Sequence, residues 1–289
     1  MTTNVSKILH CILFADDTSI LLSNKDLQTL QAIFNQEIST ISQWLYENKL
    51  TINLKKTSFM VFSNKKCNTN NIVINLCNSQ VNQVSSLKFL GIIIDNKLKW
   101  TDHVNLICNT LSKNIGVMYK LKNFPKTILK MIYHSIILPY LYYNIIVWGN
   151  SSVAAIDRII KLQKRAVRII DHASFLAHTS PIFCSLKILR FNDLYVYQVG
   201  IFMYLCHKNL LPESLLTYFS LNCDIHKHRT RNATDFHLPL SRTTLSKKSV
   251  IYQGPITWNS LPSSIKELQS FNVFKKSSKE IILANYHLL

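Results

Sequence analysis

The first hundred residues change hydrophobic period several times, and each change marks an element. Ile8–Phe14 and Thr18–Leu22 are short apolar runs separated by Ala15-Asp16-Asp17, which predicts a β-hairpin with carboxylates at its tip. From Asp26 to Glu47 the apolar positions 27, 30, 33, 34, 38, 41, 44 and 45 fall on one helical face, with Asn24 or Asp26 as N-cap. Thr51–Leu54, Ser58–Phe62, Ile72–Cys77 and Leu87–Asp95 are β-branched or aromatic and read as strands. Together these predict a small antiparallel or mixed α+β layer, with a boundary near residues 96–101 beyond which helical periodicity dominates. The most apolar window, Ile128–Trp148, contains Lys130, His134, Pro139 and Asn144 and so fits a buried helix pair better than a membrane span. Its aromatic set, Tyr133, Tyr140, Tyr142, Tyr143 and Trp148, sits among aliphatic neighbours and reads as helix packing rather than base stacking. No internal repeat is seen, and the one low-complexity stretch is the polar Ser63–Asn71.

Composition sharpens the picture. A chain of 289 residues with 47% apolar and 17% charged residues is globular, in one large or two modest domains. Against this, 33 Lys+Arg face 15 Asp+Glu, and a formal charge of +18 predicts a polyanionic partner such as nucleic acid. The excess is uneven: residues 1–80 carry seven basic and five acidic side chains, residues 81–289 carry 26 and 10. An acidic site in the first part and a basic surface in the second are therefore separate features. Five glycines leave no Walker loop and no dinucleotide fingerprint. Seven cysteines at 11, 67, 77, 108, 184, 206 and 223 form no Cys-x-x-Cys pair, which fits a reducing compartment. The Ile8–Leu22 segment is interrupted by His10, Asp16 and Asp17, so no signal peptide is expected there.

Two basic stripes stand out. Lys113, Lys120, Lys122, Lys126 and Lys130 lie within one stretch of helical pattern, and Arg158, Lys161, Lys164, Arg165 and Arg168 recur at spacings of three or four. A lone basic helix is usually a solvated face. Two such helices with few acids instead fit sequence-independent contact with phosphates. Cys223, His226 and His228 have a metal-like spacing, but no fourth ligand lies at finger-like distance and zinc is not expected.

Phe14-Ala15-Asp16-Asp17 resembles the catalytic hairpin of the reverse transcriptases of non-LTR, LINE-type, jockey-like retrotransposons. Its context strengthens the resemblance. A helix ending near Trp44 is followed by Asn48-Lys49-Leu50-Thr51-Ile52-Asn53 with Lys56-Thr57, and Lys88-Phe89-Leu90-Gly91 with Asp95 is similar to the primer grip. Trp100 with His103, Pro139 with Trp148-Gly149, Leu162-Gln163-Lys164-Arg165 with Arg168, Arg229-Thr230-Arg231, and Gly254-Pro255 with Trp258-Asn259-Ser260-Leu261-Pro262 look like the family's thumb and tail. The resemblance covers essentially the whole chain.

The resemblance implies a partial palm over residues 1–96, a helical thumb over 97–175 and a basic C-terminal region over 176–289. It also implies RNA-directed DNA polymerisation on an RNA template and DNA primer, in the cytoplasm and nucleus as a retroelement ribonucleoprotein. In that chemistry two magnesium ions about 4 Å apart stabilise an in-line displacement, and Asp16 and Asp17 would hold part of the site. Hard magnesium ions want several oxygen ligands, so two adjacent carboxylates without a third acid should bind weakly. Lys56 matches a lysine proposed to protonate the leaving pyrophosphate, and is equally read as a solvated lysine between strands. Phe89, Leu90 and Gly91 would position the primer end, with Gly91 allowing close backbone approach. Lys113, Lys120, Lys122, Lys164, Arg165 and Arg168 would contact the duplex.

Family members carry a fingers region and two further palm motifs before the hairpin, one supplying the first metal-binding aspartate. Thirteen residues precede Phe14 here. The expectation is a C-terminal fragment inactive alone, with a non-enzymatic nucleic-acid-binding remnant or a decayed copy as alternatives. A hairpin edge left unpaired at Ile8, Leu9, Ile12, Leu13 and Phe14 would favour self-association.

Overall fold

The computed structural model describes residues 9–63, 72–77, 79–225 and 232–287. Ile8, most of the polar Ser63–Asn71 stretch, His226, His228 and Arg229-Thr230-Arg231 lie outside the described residues. The chain divides into two compact units, Met1–Leu98 and Lys99–Leu289.

In the first unit, β1 (His10–Phe14) and β2 (Asp17–Leu21) pair antiparallel, with Phe14 opposite Asp17 and His10 opposite Leu21. Helix α1 (Leu27–Glu47) starts where the Asp26 carboxylate accepts the Thr29 N–H at 2.7 Å. That bond, made to the charged form, holds the Asp26 carboxyl below its ordinary value. The helix stops in a Schellman motif: Lys49 takes φ 56, its N–H bonds to Tyr46 O, and the Leu50 N–H bonds to Leu45 O at 2.9 Å. The resemblance motif at residues 48–53 is thus, physically, a helix stop.

The strands beneath α1 are short. β3 (Ser58–Phe59) runs parallel to β6 (Asn82–Gln83), and β4 (Asn75–Leu76) pairs antiparallel with β5 (Ser79–Gln80). Ile38, Ile72, Ile74, Leu76 and Val81 form the buried cluster, with Phe34, Ile52, Leu54 and Phe59 packed on it. The Asn35 amide staples α1 to this layer, donating to Val73 O at 3.0 Å and accepting the Asn75 N–H at 3.0 Å. Two strand expectations need correction. Thr51–Leu54 is not a strand: Ile52 and Leu54 pack into the cluster, and the backbone bends so that Asn53 O accepts from both Lys56 and Thr57. Leu87–Asp95 is not one strand but a hairpin of β7 (Ser86–Phe89) and β8 (Ile92–Asp95), turned at Leu90-Gly91.

The second unit is helical. It comprises α2 (Thr101–Lys120), α3 (Lys126–Ile136), α4 (Leu138–Tyr142), α5 (Ile145–Trp148), α6 (Val153–Ile170), α7 (Ser180–Leu186) and α8 (Phe191–His207). After these come α9 (Glu213–Leu216), α10 (Asn222–Ile225), α11 (Thr244–Lys248), α12 (Val250–Asn259), α13 (Ser263–Lys266) and α14 (Phe271–Ala284). One hydrophobic core runs from Val104 to Tyr286, with α2 packed on α6 and α8 packed on α5, α12 and α14. The basic stretch 113–130 does not form a single helix. Pro125 disfavours helical backbone at Phe124, so α2 ends at Lys120, Lys122 lies on a turn, and Lys126 and Lys130 belong to α3. The expected helix pair at 128–148 is likewise three pieces, broken around Ile137, with Pro139 in the first turn of α4, and at Asn144, whose φ is 51. No helix among the described residues is long and apolar enough to cross a membrane.

Candidate functional site

The carboxylates of Asp16 and Asp17 come from a turn of two central residues, Ala15 and Asp16, closed by the Phe14–Asp17 pair. Ala15 sits at φ 51, a left-handed conformation that costs a residue with a Cβ about 1–2 kcal/mol. Both carboxylates are exposed and neither has a hydrogen-bond or ion-pair partner among the described residues. They are hard oxygen donors of the kind magnesium takes, but no group of three or more His, Cys, Asp or Glu side chains converges among the described residues. The hairpin tip thus offers two hard oxygen donors and, among the described residues, no third.

Lys56 is exposed on the Leu54–Lys56 turn, two residues after Leu54, which packs on the small core. Leu90 and Gly91 form another two-residue turn of this unit, with φ values of 44 and 84. Positive φ at both central positions is the signature of a type I′ turn, which needs glycine at the second position and strains leucine at the first. Phe89 and Leu90 are half-buried and Gly91 is exposed.

The basic residues belong to the second unit. Lys113 and Lys120 lie on the side of α2 opposite its buried residues Val104, Ile107, Leu111, Ile115 and Met118. Lys122 stands 4.8 Å over the Tyr119 ring. On α6 the buried face is Ala155, Ile156, Ile159, Gln163, Ala166, Val167 and Ile170, and Arg158, Lys161, Lys164, Arg165 and Arg168 line the other side. Arg158 donates to Asn105 at 2.6 Å, and Arg168 Nε donates to Ala177 O at 2.9 Å. Among the described residues no carboxylate pairs with Lys164, Arg165 or Arg168.

Beside α6 lies a cleft of about 440 Å³, lined by Lys164, Arg168, His178, Arg190, Asn192 and Asp193 among others. Its floor is organised by Gln163, which is buried. The Gln163 amide donates to Tyr133 Oη at 3.0 Å and to Leu189 O at 2.9 Å, and accepts the Phe191 N–H at 2.9 Å. Tyr286, from the chain's last described turn, accepts the Arg190 N–H at 2.8 Å and donates to Asp193. Burial and the Asp193 carboxylate both raise the pKa of the Tyr286 phenol. The Arg190 guanidinium lies 4.2 Å from the centre of the Tyr286 ring. Sequence reasoning missed Arg190 and Tyr286, because no local spacing connects residues 163, 190 and 286 and only tertiary packing brings them together.

Other motif residues prove to be packing devices. A Cβ on Gly149 would meet Ile145 O at 2.5 Å, and one on Gly254 would meet Met203 Sδ at 2.5 Å. Trp148 is buried against His103 and Phe191, Trp258 is buried beside Phe274, and Asn259 exchanges two hydrogen bonds with the Phe236 backbone.

Residues 2–94 match the family described as Reverse transcriptase (RNA-dependent DNA polymerase). The chain is 25% identical over 223 residues to the RNA-directed DNA polymerase from mobile element jockey of Drosophila melanogaster, covering 73% of this chain and 24% of that protein. It is 25% identical to the jockey polymerase of Drosophila funebris, over 62% of this chain and 20% of the relative. It is 24% identical to the probable RNA-directed DNA polymerase from transposon BS of Drosophila melanogaster, over 61% and 20%. The similarity is thus to jockey-like, non-LTR reverse transcriptases, and the matched region spans between a fifth and a quarter of the curated relatives' length. No solved structure gives a significant match.

Proposed function

We propose that the chain is the part of a jockey-like RNA-directed DNA polymerase that runs from the catalytic hairpin into the thumb and the basic C-terminal region. The observation that carries this reading is the Asp16-Asp17 hairpin tip within the segment that matches the reverse-transcriptase family. In this reading residues 1–96 are the later part of the palm, 97–175 the thumb and 176–289 the C-terminal region. Asp16 and Asp17 would hold magnesium together with a third carboxylate, and the metal would supply charge neutralisation at the transferred phosphate. Phe89, Leu90 and Gly91 would seat the primer end and Lys56 would face the leaving pyrophosphate. Lys113, Lys120, Lys122, Lys164, Arg165 and Arg168 would follow the backbone of the RNA/DNA duplex through contacts that do not read sequence. Its place is that of a retroelement ribonucleoprotein inside the cell.

The 289-residue chain, mixed with a primed RNA template, nucleotides and magnesium, is expected not to extend the primer, because two carboxylates cannot align both ions. Fused to the fingers and first palm motifs of a jockey relative it is expected to extend it, and Asp16→Ala in the fusion should abolish extension. Extension by the chain alone, or a fusion indifferent to Asp16→Ala, overturns the reading. A second reading, a remnant that binds nucleic acid without catalysis, draws on the 26 basic against 10 acidic side chains after residue 80. It predicts duplex binding by the chain and a fusion that stays inactive.

A further inference from the structure

We propose that the cleft beside α6 is a phosphate-binding subsite, built from Lys164, Arg168 and Arg190, that takes a backbone phosphodiester of nucleic acid. The proposal rests on the nucleic-acid reading above and adds to it a specific anchoring point that the basic stripes do not contain. Four observations support it. First, three cationic side chains from two separate elements line one cleft of about 440 Å³, a volume in the range of small-ligand sites. Second, Arg190 Nη2 is buried without a hydrogen-bond partner among the described residues. An unsatisfied buried guanidinium donor is costly, and a phosphate oxygen would satisfy it with a charge-assisted bond.

Third, both arginines are held in place by contacts that leave donors over. Arg168 is tied through Nε to Ala177 O, which among the described residues leaves its two terminal nitrogens uncommitted. Arg190 is fixed at both ends: Tyr286 receives its N–H and supports its guanidinium, while Gln163 holds the backbone on either side of it. A planar fork so preorganised matches the oxygens of a phosphate. The lining acid, Asp193, already accepts from Tyr286, so its charge is partly engaged away from the cleft cations. Fourth, the positive rail continues outside the cleft. Lys161 and Arg165 are exposed on the same side of α6 as Lys164 and Arg168. A free phosphate would need only the cleft, whereas a polyanion uses the rail as well.

The test measures binding of the full chain to a short RNA/DNA duplex by fluorescence anisotropy across a salt series. Lys164→Gln, an exposed change with no partner to orphan, should weaken binding several-fold and reduce the slope of log affinity against log salt by about one. Arg190→Lys keeps the charge but removes the fork, and should weaken binding about tenfold. Arg242→Gln, an equal loss of charge at an exposed site outside the cleft, should change affinity less than about twofold. If Arg190→Lys lowers the melting temperature, Lys164→Gln alone decides. Variants at 164 and 190 that behave like Arg242→Gln overturn the proposal while leaving duplex binding, and hence the broader reading, intact; a wild-type chain that binds no duplex defeats that reading itself. Inorganic phosphate serves as the second probe. If it shifts the His178 imidazole resonances and duplex does not, the cleft takes free phosphate and the nucleic-acid assignment is wrong.

Discussion

Replacing Gln163 with methionine isolates what one buried amide does. Gln163 is 1% exposed, and methionine keeps its length while removing every polar atom. Three partners lose their bond: Tyr133 Oη, Leu189 C=O and Phe191 N–H. Tyr133 is fully buried, so water cannot replace the lost donor at its hydroxyl. Each orphaned buried group costs about 1–3 kcal/mol, offset in part because the amide itself no longer needs desolvating. The net destabilisation expected is about 2–5 kcal/mol. For a unit the size of Lys99–Leu289, where each kcal/mol shifts the midpoint by about 2–4 °C, the melting temperature should fall by roughly 5–20 °C. Calorimetry on the wild type, Gln163→Met, Tyr133→Phe and the double variant would also give the coupling between the two side chains. An unchanged or raised midpoint in Gln163→Met would refute the reasoning, since it would mean that an apolar side chain serves this position as well as the amide.

Gln163 also shows where sequence reading stops. It stands in the Leu162-Gln163-Lys164-Arg165 motif, and nothing in the helical pattern distinguishes it from the exposed Lys164 except its place on the buried face of α6. The hairpin at residues 10–21, the helix capped by Asp26 and the helical character of the second unit were legible, because periodicity, cap chemistry and an acid-bearing turn are local signals. The missed elements depended on tertiary competition. Ile52 and Leu54 have strand-like chemistry but serve as anchors for a turn, and Leu90-Gly91 turns a chain whose β-branched run reads as continuous. Helix stops were hidden for another reason. With five glycines in the chain, left-handed C-terminal positions fall to Lys49 and His172, which carry no stop signal, and to Asn209, which carries a weaker one than glycine. The family resemblance was readable from motif order, while the cleft at Arg190 was not, since its parts are separated by nearly a hundred residues.

The helix stops give a direct prediction: His172→Gly, at the φ 55 position after α6, should relieve left-handed strain and stabilise the chain by about 1 kcal/mol in urea unfolding, and an unchanged midpoint would show that the strain is absent. For pH, burial lowers the pKa of His103, and burial with neighbouring lysines lowers those of His134 and His207. The unfolded chain then binds protons that the folded chain refuses, so stability should be present above the unfolded value of 6.5 and fall as pH drops below it, whereas stability flat from neutral to mildly acidic pH would contradict this. The last prediction concerns the hairpin. Its sheet has two strands, so both are edges, and Ile12, Leu13, Phe14 and Leu21 are 46, 47, 59 and 46% exposed. Leu9, expected at this edge, is instead buried, so among the described residues the sticky surface lies within residues 12–21. An isolated two-stranded ribbon is marginal in water, and an exposed apolar edge gains by pairing with another copy. The formal charge of +18 opposes that association at long range, but most of the charge lies after residue 80 and salt screens it. Light scattering should therefore show oligomers that grow as salt is raised, and Leu13→Lys, which places a charge on the edge without touching the acidic tip, should return the chain to monomer. A wild-type chain that stays monomeric in high salt would mean that the hairpin is covered by its own unit, and the edge would then play no part in assembly.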